Sequence, residues 1–292
     1  MTTRANPWAR ASVALVVLVM YLPLFSTLTH VSASNPYAGH LIFVPIFAAV
    51  VLWSERHRFR GLTAPAGAAG PSLTALAVVV GWIAYGVANV PLYVGSFVAA
   101  IAGLLLSFLG RRGVREAAFP LGLLLLMVPP PREAMTAIAL EVQHSIAIFS
   151  GFILSAFGIP VVQDGISLRL PGFTLIVAEE CSGLRFLLIL CVFAAALART
   201  VLTASASQLV LIMLSIPTAL LANAVRVVVT SAGAYAIGPE VVTGPLHYYI
   251  GKGFWAGALV ATIGLALSLR SRTAIGVSTR RAQASGCVAS AP

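Results

Sequence analysis

The sequence predicts an all-α polytopic membrane protein with about eight transmembrane helices. Three observations carry that expectation. Charged residues make up 9% of the chain, against about 25% in a soluble domain, so too few charges remain to cover a water-exposed surface. The apolar residues, 59% of the total, gather in continuous runs that approach the roughly 20 residues needed to cross a hydrocarbon core. The basic residues fall in clusters between those runs: Arg56, Arg58 and Arg60 in one, Arg111, Arg112 and Arg115 in a second, and Arg270, Arg272, Arg280 and Arg281 near the end. A net charge of +10 could signal nucleic acid. Lys and Arg that collect between spans instead mark cytoplasmic loops, so the expected partner is the lipid bilayer and not nucleic acid.

Placing the basic clusters inside orders the elements. Residues 11–28 form the first span, going outward; this apolar stretch is longer than the roughly 7–15 residues of a signal-peptide core. An outer loop with Asn35-Pro36 follows, and residues 41–53 return inward to the Arg56 cluster. A Gly/Ala/Pro-rich linker at 61–71 leads to spans at 73–89 and 92–109, and then to a fifth at 117–128 that stops at Pro129-Pro130-Pro131. Residues 133–158 have a helical pattern but carry Glu141, Gln143 and His144. If Pro129 and Cys181 both lie outside, crossing parity makes them an interfacial or re-entrant helix, and a helical hairpin also fits. Residues 167–170 and 173–177 favour strand, and Pro171-Gly172 between them suits a type II turn. A short β-hairpin is therefore expected within 161–180. Residues 183–198, 208–231 and 248–269 complete the spans. The domain reading is one transmembrane domain over 1–270 and a basic, disordered cytoplasmic tail over 271–292.

This topology brings three distant polar residues to one leaflet. Cys181 precedes the sixth span, Arg226 sits near the outer end of the seventh, and His247 opens the eighth. A thiolate is a nucleophile, and a histidine can take and return its proton. An arginine nearby can lower the thiol pKa or hold a developing oxyanion. The segment Glu179-Glu180-Cys181-Ser182-Gly183-Leu184-Arg185 starts a helix, where free backbone N–H groups favour an anion. Asn223 and Arg226 share a helix face at i, i+3, and an ionisable residue inside a span is a functional candidate by default. Glu180, Ser182, Gly183, Arg185 and Asn223 form the supporting or substrate-binding set. Cys191, mid-span, reads as a small core residue and Cys287 as a tail thiol. The remaining histidines, His30, His40, His57 and His144, show no metal-ligand spacing, and neither metal nor cofactor is expected.

The Glu-Cys-Ser-Gly-Leu-Arg segment at 180–185, the Asn223-x-x-Arg226 segment on the next helix and His247 at the start of the last resemble the exosortase/archaeosortase family of polytopic membrane proteins. Gly39-His40 followed by Phe43, Pro45 and Leu52-Trp53 is similar to an early segment of that family, with the order Gly-His in place of His-Gly. The resemblance covers most of the chain. It implies a cysteine transpeptidase or protease with Cys181 as nucleophile and Arg226 and His247 completing a triad. It further implies substrates that are exported proteins ending in a short motif such as Pro-Glu-Pro, a transmembrane helix and a basic cluster. The expected location is the bacterial inner membrane, multi-pass, with the site on the outer face.

Other readings remain open on the residues alone. Prenyl-protein-type intramembrane proteases use an EExxxR motif, but four residues separate Glu180 from Arg185 here. A small transporter would bind an anionic solute at Arg226 and would show an internal repeat; none is visible. An envelope-assembly scaffold without chemistry is the third alternative, and the reactivity of Cys181 toward a thiol probe separates it from an enzyme.

Overall fold

A computed structural model describes residues 7–63, 67–177 and 183–288. The chain divides into two compact units, Met1–Arg132 and Glu133–Pro292. The first unit is helical. Helices α1 (Pro7–Met20) and α2 (Leu22–Ser34) together make one apolar stretch, Ala11–Ser34, broken where Pro23 stands in the first turn of α2. Asn35 ends it: its Oδ1 accepts from Tyr37 N at 3.0 Å, and Ser32 Oγ donates to Ala38 O at 2.7 Å, turning the chain into a short 3₁₀ segment, Pro36–Ala38. Then come α3 (Val44–Ser54), α4 (Ala69–Gly86), α5 (Val90–Glu116) and α6 (Ala118–Leu125).

The α4–α5 hairpin shows how these apolar helices hold together. Lipid removes the hydrophobic drive for helix pairing, so close approach through small residues must replace it. The buried positions of α4 are Gly70, Thr74, Ala77, Gly81 and Ala84, a stripe at helical spacing. They face small residues of α5: Gly70 meets Ser107, Gly103 meets Thr74, and Gly81 lies against Ser96 Oγ and Tyr21. Tyr21, 2% exposed, donates its hydroxyl to Ala77 O at 2.9 Å and stacks beside Tyr93. Asn89 caps α5 by accepting from Leu92 N at 3.0 Å. Helical φ/ψ fails at Gly110 (φ 72°), so Arg111, Arg112 and Arg115 lie on a separate short segment beyond the break.

The second unit begins with α7 (Arg132–Ala156) and continues through strands β1 (Val162–Asp164), β2 (Ser167–Leu170) and β3 (Phe173–Ile176). Helices α8 (Leu184–Val201), α9 (Ser205–Ile237), α10 (Glu240–Thr243) and α11 (Pro245–Val288) follow. The strands pair antiparallel in the order β1-β2-β3, with Arg169 opposite Thr174. Gly172 at φ 85° supplies the left-handed residue that a type II turn needs. Leu168 and Leu170 on β2, with Leu175 and Val177, face one core with Ile146, Ala147 and Leu154 of α7 and Ala224 and Val227 of α9. The sheet is thereby fixed to the stretch of α9 that carries Arg226. Helix α9 also packs against both α8 and α11, through Leu190, Ala219 and Ala258 at one level and Ala198, Leu202, Leu211 and Ala266 at another.

The all-α polytopic class is borne out, with differences in detail. Seven helices among the described residues are long and apolar enough to cross a membrane: Ala11–Ser34, Ala69–Gly86, Val90–Glu116, Arg132–Ala156, Leu184–Val201, Ser205–Ile237 and Pro245–Ser271. Two of the expected spans, 41–53 and 117–128, are instead short helices, α3 of 11 residues and α6 of 8, which pack on each other. At 1.5 Å per residue each covers about 12–17 Å, well short of a hydrocarbon core of about 30 Å. Pro45 fixes the start of α3 in its first turn, and the chain leaves α6 in turns before Pro129. Conversely, the stretch expected to be interfacial is a continuous 25-residue helix, α7. The expected hairpin is there, with β1 as a third strand.

Two outcomes are expected from this packing. A Cβ at Gly103 would stand 2.8 Å from Thr74 N, whereas at Gly86 it would meet nothing within 4 Å. Gly103→Ala should therefore cost about 1–3 kcal/mol in detergent unfolding, with Gly86→Ala close to neutral; equal effects would refute the stripe. His40 is 5% exposed, and burial holds its pKa below the usual histidine range despite the carbonyl of Tyr37 and the backbone of Leu126, which favour the charged form. The unfolded chain thus binds the proton more readily than the folded one. The stability from this residue is present above the ordinary histidine pKa of about 6.5 and is lost as pH falls below it. Melting temperature from pH 7.5 to 5 should drop more steeply for the wild type than for His40→Asn.

Candidate active site

Helix α9 crosses the second unit and carries Asn223 and Arg226 one turn apart, 5% and 7% exposed. A guanidinium this buried, inside a helix of span length, is expensive unless its donors are used. Two side chains among the described residues take part in this. Arg226 Nη2 lies 3.0 Å from His247 Nε2, and Arg226 Nη1 donates to Asn223 Oδ1 at 3.5 Å, at the long limit for a hydrogen bond.

His247 reaches this position because α11 starts next to it. Gly244 ends α10 in extended geometry, Pro245 opens α11, and His247 N bonds back to Gly244 O at 3.2 Å. The imidazole is half-buried. Its Nδ1 is buried with no hydrogen-bond partner among the described residues. One turn further along α11, Gly251 packs against the guanidinium: a Cβ there would sit 3.5 Å from Arg226 Nε and 3.6 Å from Cζ, ordinary van der Waals contact. Below the guanidinium, Phe186, Leu190, Phe254 and Trp255 close a small cavity of about 20 Å³, room for about one water.

The third element is the start of α8. Gly183 precedes Leu184 at φ 74°, ψ −6°, a left-handed conformation that glycine adopts without penalty, and its carbonyl accepts from Leu187 N at 2.8 Å. The absence of a side chain there has a second use. A Cβ would lie 2.8 Å from Asn223 Cγ and 2.9 Å from its Cβ and Nδ2. Asn223 is thus wedged between the backbone that opens α8 and the guanidinium of Arg226, tying three helices at one point.

Of the residues singled out from sequence, Arg226, His247, Asn223 and Gly183 come together. Arg185 is exposed on the first turn of α8. Glu180, Cys181 and Ser182 lie outside the described residues. Gly251, Phe186 and Trp255 belong to the site and were not anticipated; the i, i+4 spacing of Gly251 from His247 was the available signal. Among the described residues no group of three or more His, Cys, Asp or Glu could hold a metal ion.

No curated protein and no solved structure matches this chain. Residues 32–265 match the family described as transmembrane exosortase, a stretch that contains the whole cluster of Gly183, Asn223, Arg226, His247 and Gly251. With most of its length matched, this multi-pass membrane chain belongs to the transmembrane exosortase family, a family of membrane cysteine transpeptidases.

Proposed function

We propose that this protein is a membrane-embedded cysteine protease or transpeptidase that cleaves the C-terminal sorting signals of exported proteins. The signal class is a short motif of the Pro-Glu-Pro kind followed by a transmembrane helix and a basic cluster. The site faces the outer side of the bacterial inner membrane, with the Arg-rich loops inside. The observation that carries the reading is the Arg226–His247 contact of 3.0 Å beside Gly183, two residues of chain from Cys181. Covalent geometry holds the Cys181 Cα within about 7 Å of the Gly183 Cα.

In this reading Cys181 sulfur attacks the scissile carbonyl carbon, the C–N bond breaks, and an acyl-thioester remains on Cys181. His247 gives the leaving amine its proton. Arg226 stabilises the oxyanion of the tetrahedral intermediate. Water as acceptor yields a free carboxylate, and an amine yields a new amide bond. The three-stranded sheet, packed on α7 and α9, flanks the path by which an extended substrate segment would reach the site, while the substrate's helix packs laterally in the bilayer.

Reconstitution with a substrate carrying such a signal tests this. Cys181→Ala should abolish processing and the trapped acyl-enzyme while leaving the fold intact; continued processing would refute the assignment. Arg226→Lys keeps the charge but cannot serve Asn223 and His247 together, and a loss of about 10²–10³-fold in turnover is expected. Gly183→Ala forces both a strained φ and a collision with Asn223. It should lower turnover by a similar factor and also lower the melting temperature; wild-type turnover would remove Gly183 and Asn223 from the supporting set.

A further inference from the structure

The contact between Arg226 and His247 restricts where the proton of His247 can be. A guanidinium has five N–H donors and no acceptor, and it stays protonated in proteins. Its Nη2 stands 3.0 Å from His247 Nε2, a hydrogen-bonding distance, so Nε2 must present its lone pair. A proton on Nε2 would put two donors tip to tip, and with both ring nitrogens protonated two positive charges would also lie side by side in a half-buried site. The single ring proton therefore sits on Nδ1, the atom that is buried without a partner among the described residues.

Among the described residues no other group favours an imidazolium; Glu179 and Glu180 lie outside them. From α9 the facing charge is Arg226 itself. Arg185 on α8 and Glu240 on α10 are both exposed, and on α11 the ammonium of Lys252 lies 4.1 Å from the centre of the Tyr248 ring. Among the described residues no carboxylate forms an ion pair with His247. Arg226 is buried, and Asn223 directs Nη1.

We propose that Arg226 latches the resting site: His247 is neutral, protonated on Nδ1, and Cys181 does not rest as a thiolate–imidazolium pair. The inference rests on the reading of Cys181 as the nucleophile. A proton reaches Nε2 only when Nη2 leaves it. As the S–C bond forms, the S–H bond breaks, the proton goes to Nε2, and the carbonyl electron pair moves onto oxygen. An oxyanion is a stronger acceptor for a guanidinium than a neutral imidazole, so the intermediate itself draws Arg226 away. When the C–N bond breaks, the proton passes from Nε2 to the leaving nitrogen, the lone pair returns to Nε2, and the latch closes. The thiol is activated only against a bound carbonyl and carries no standing thiolate open to oxidation.

Two measurements on the full-length protein in nanodiscs test this. With histidine labelled by ¹⁵N in the ring, and His247 assigned by the signal lost in His247→Gln, Nδ1 should be protonated and Nε2 unprotonated at pH 7. A proton on Nε2, alone or with one on Nδ1, overturns the proposal. In a background of Cys191→Ser and Cys287→Ser, iodoacetamide alkylation of Cys181 is followed against pH. His247→Gln should shift the midpoint by less than about 0.3 units with Arg226 in place, and by about one unit or more in the Arg226→Met background, where Nε2 is free. A low-pH reactive limb that needs His247 while Arg226 is intact overturns it too. If Cys181→Ala still processed substrate, the functional reading would fall while the ring-nitrogen result stood on its own.

Discussion

A guanidinium buried inside a helix of span length has few ways to exist at reasonable cost. It must be supplied with acceptors by whatever packs against it, and Arg226 draws them from its own helix through Asn223 and from α11 through His247. That requirement propagates outward. Helix α11 must begin at Pro245 so that His247 falls at the level of Arg226. Gly251 packs against the guanidinium, and α8 must start close enough that Gly183 touches Asn223. The same α9 turn is gripped from another side by the sheet through Ala224 and Val227. The site is thus a junction at which three helices and the sheet agree on one geometry.

The rest of the packing follows the physics of lipid. Without a hydrophobic drive between helices, association depends on how closely backbones approach. Each unit uses small residues for this. In the first, Gly70, Gly81 and Gly103 interlock α4 with α5. In the second, Ala219, Ala258, Ala198 and Ala266 do so for α8, α9 and α11. Close packing of this kind is stiff, which suits a site where a shift of an ångström breaks a hydrogen bond.

Much of this was legible in the residue order. Charge scarcity and apolar runs established the membrane class. Pro171-Gly172 established the hairpin turn, and the Asn223–Arg226 spacing placed both on one face of a helix. The short helices α3 and α6 were not legible, because a run of a dozen apolar residues reads alike whether it crosses the bilayer or packs as a half-length helix against another. Helix α7 misled in the opposite direction. Its polar residues Glu141, Gln143 and His144 suggested an interface, yet Gln143 is buried and His144 contacts the carbonyl of Gly165 at the sheet, so partners from outside the helix alter what those residues signify.

The sequence by itself determined the composition-level facts: a helical membrane chain, its clustered arginines, its family resemblance and the identity of the polar residues that bear chemistry. Those depend on residue type and on spacing along one helix, which are local. Tertiary structure decided which nitrogen of His247 meets Arg226, why residue 183 is glycine, and how α8, α9 and α11 converge. Each depends on distances between residues tens of positions apart, set only when helices pack.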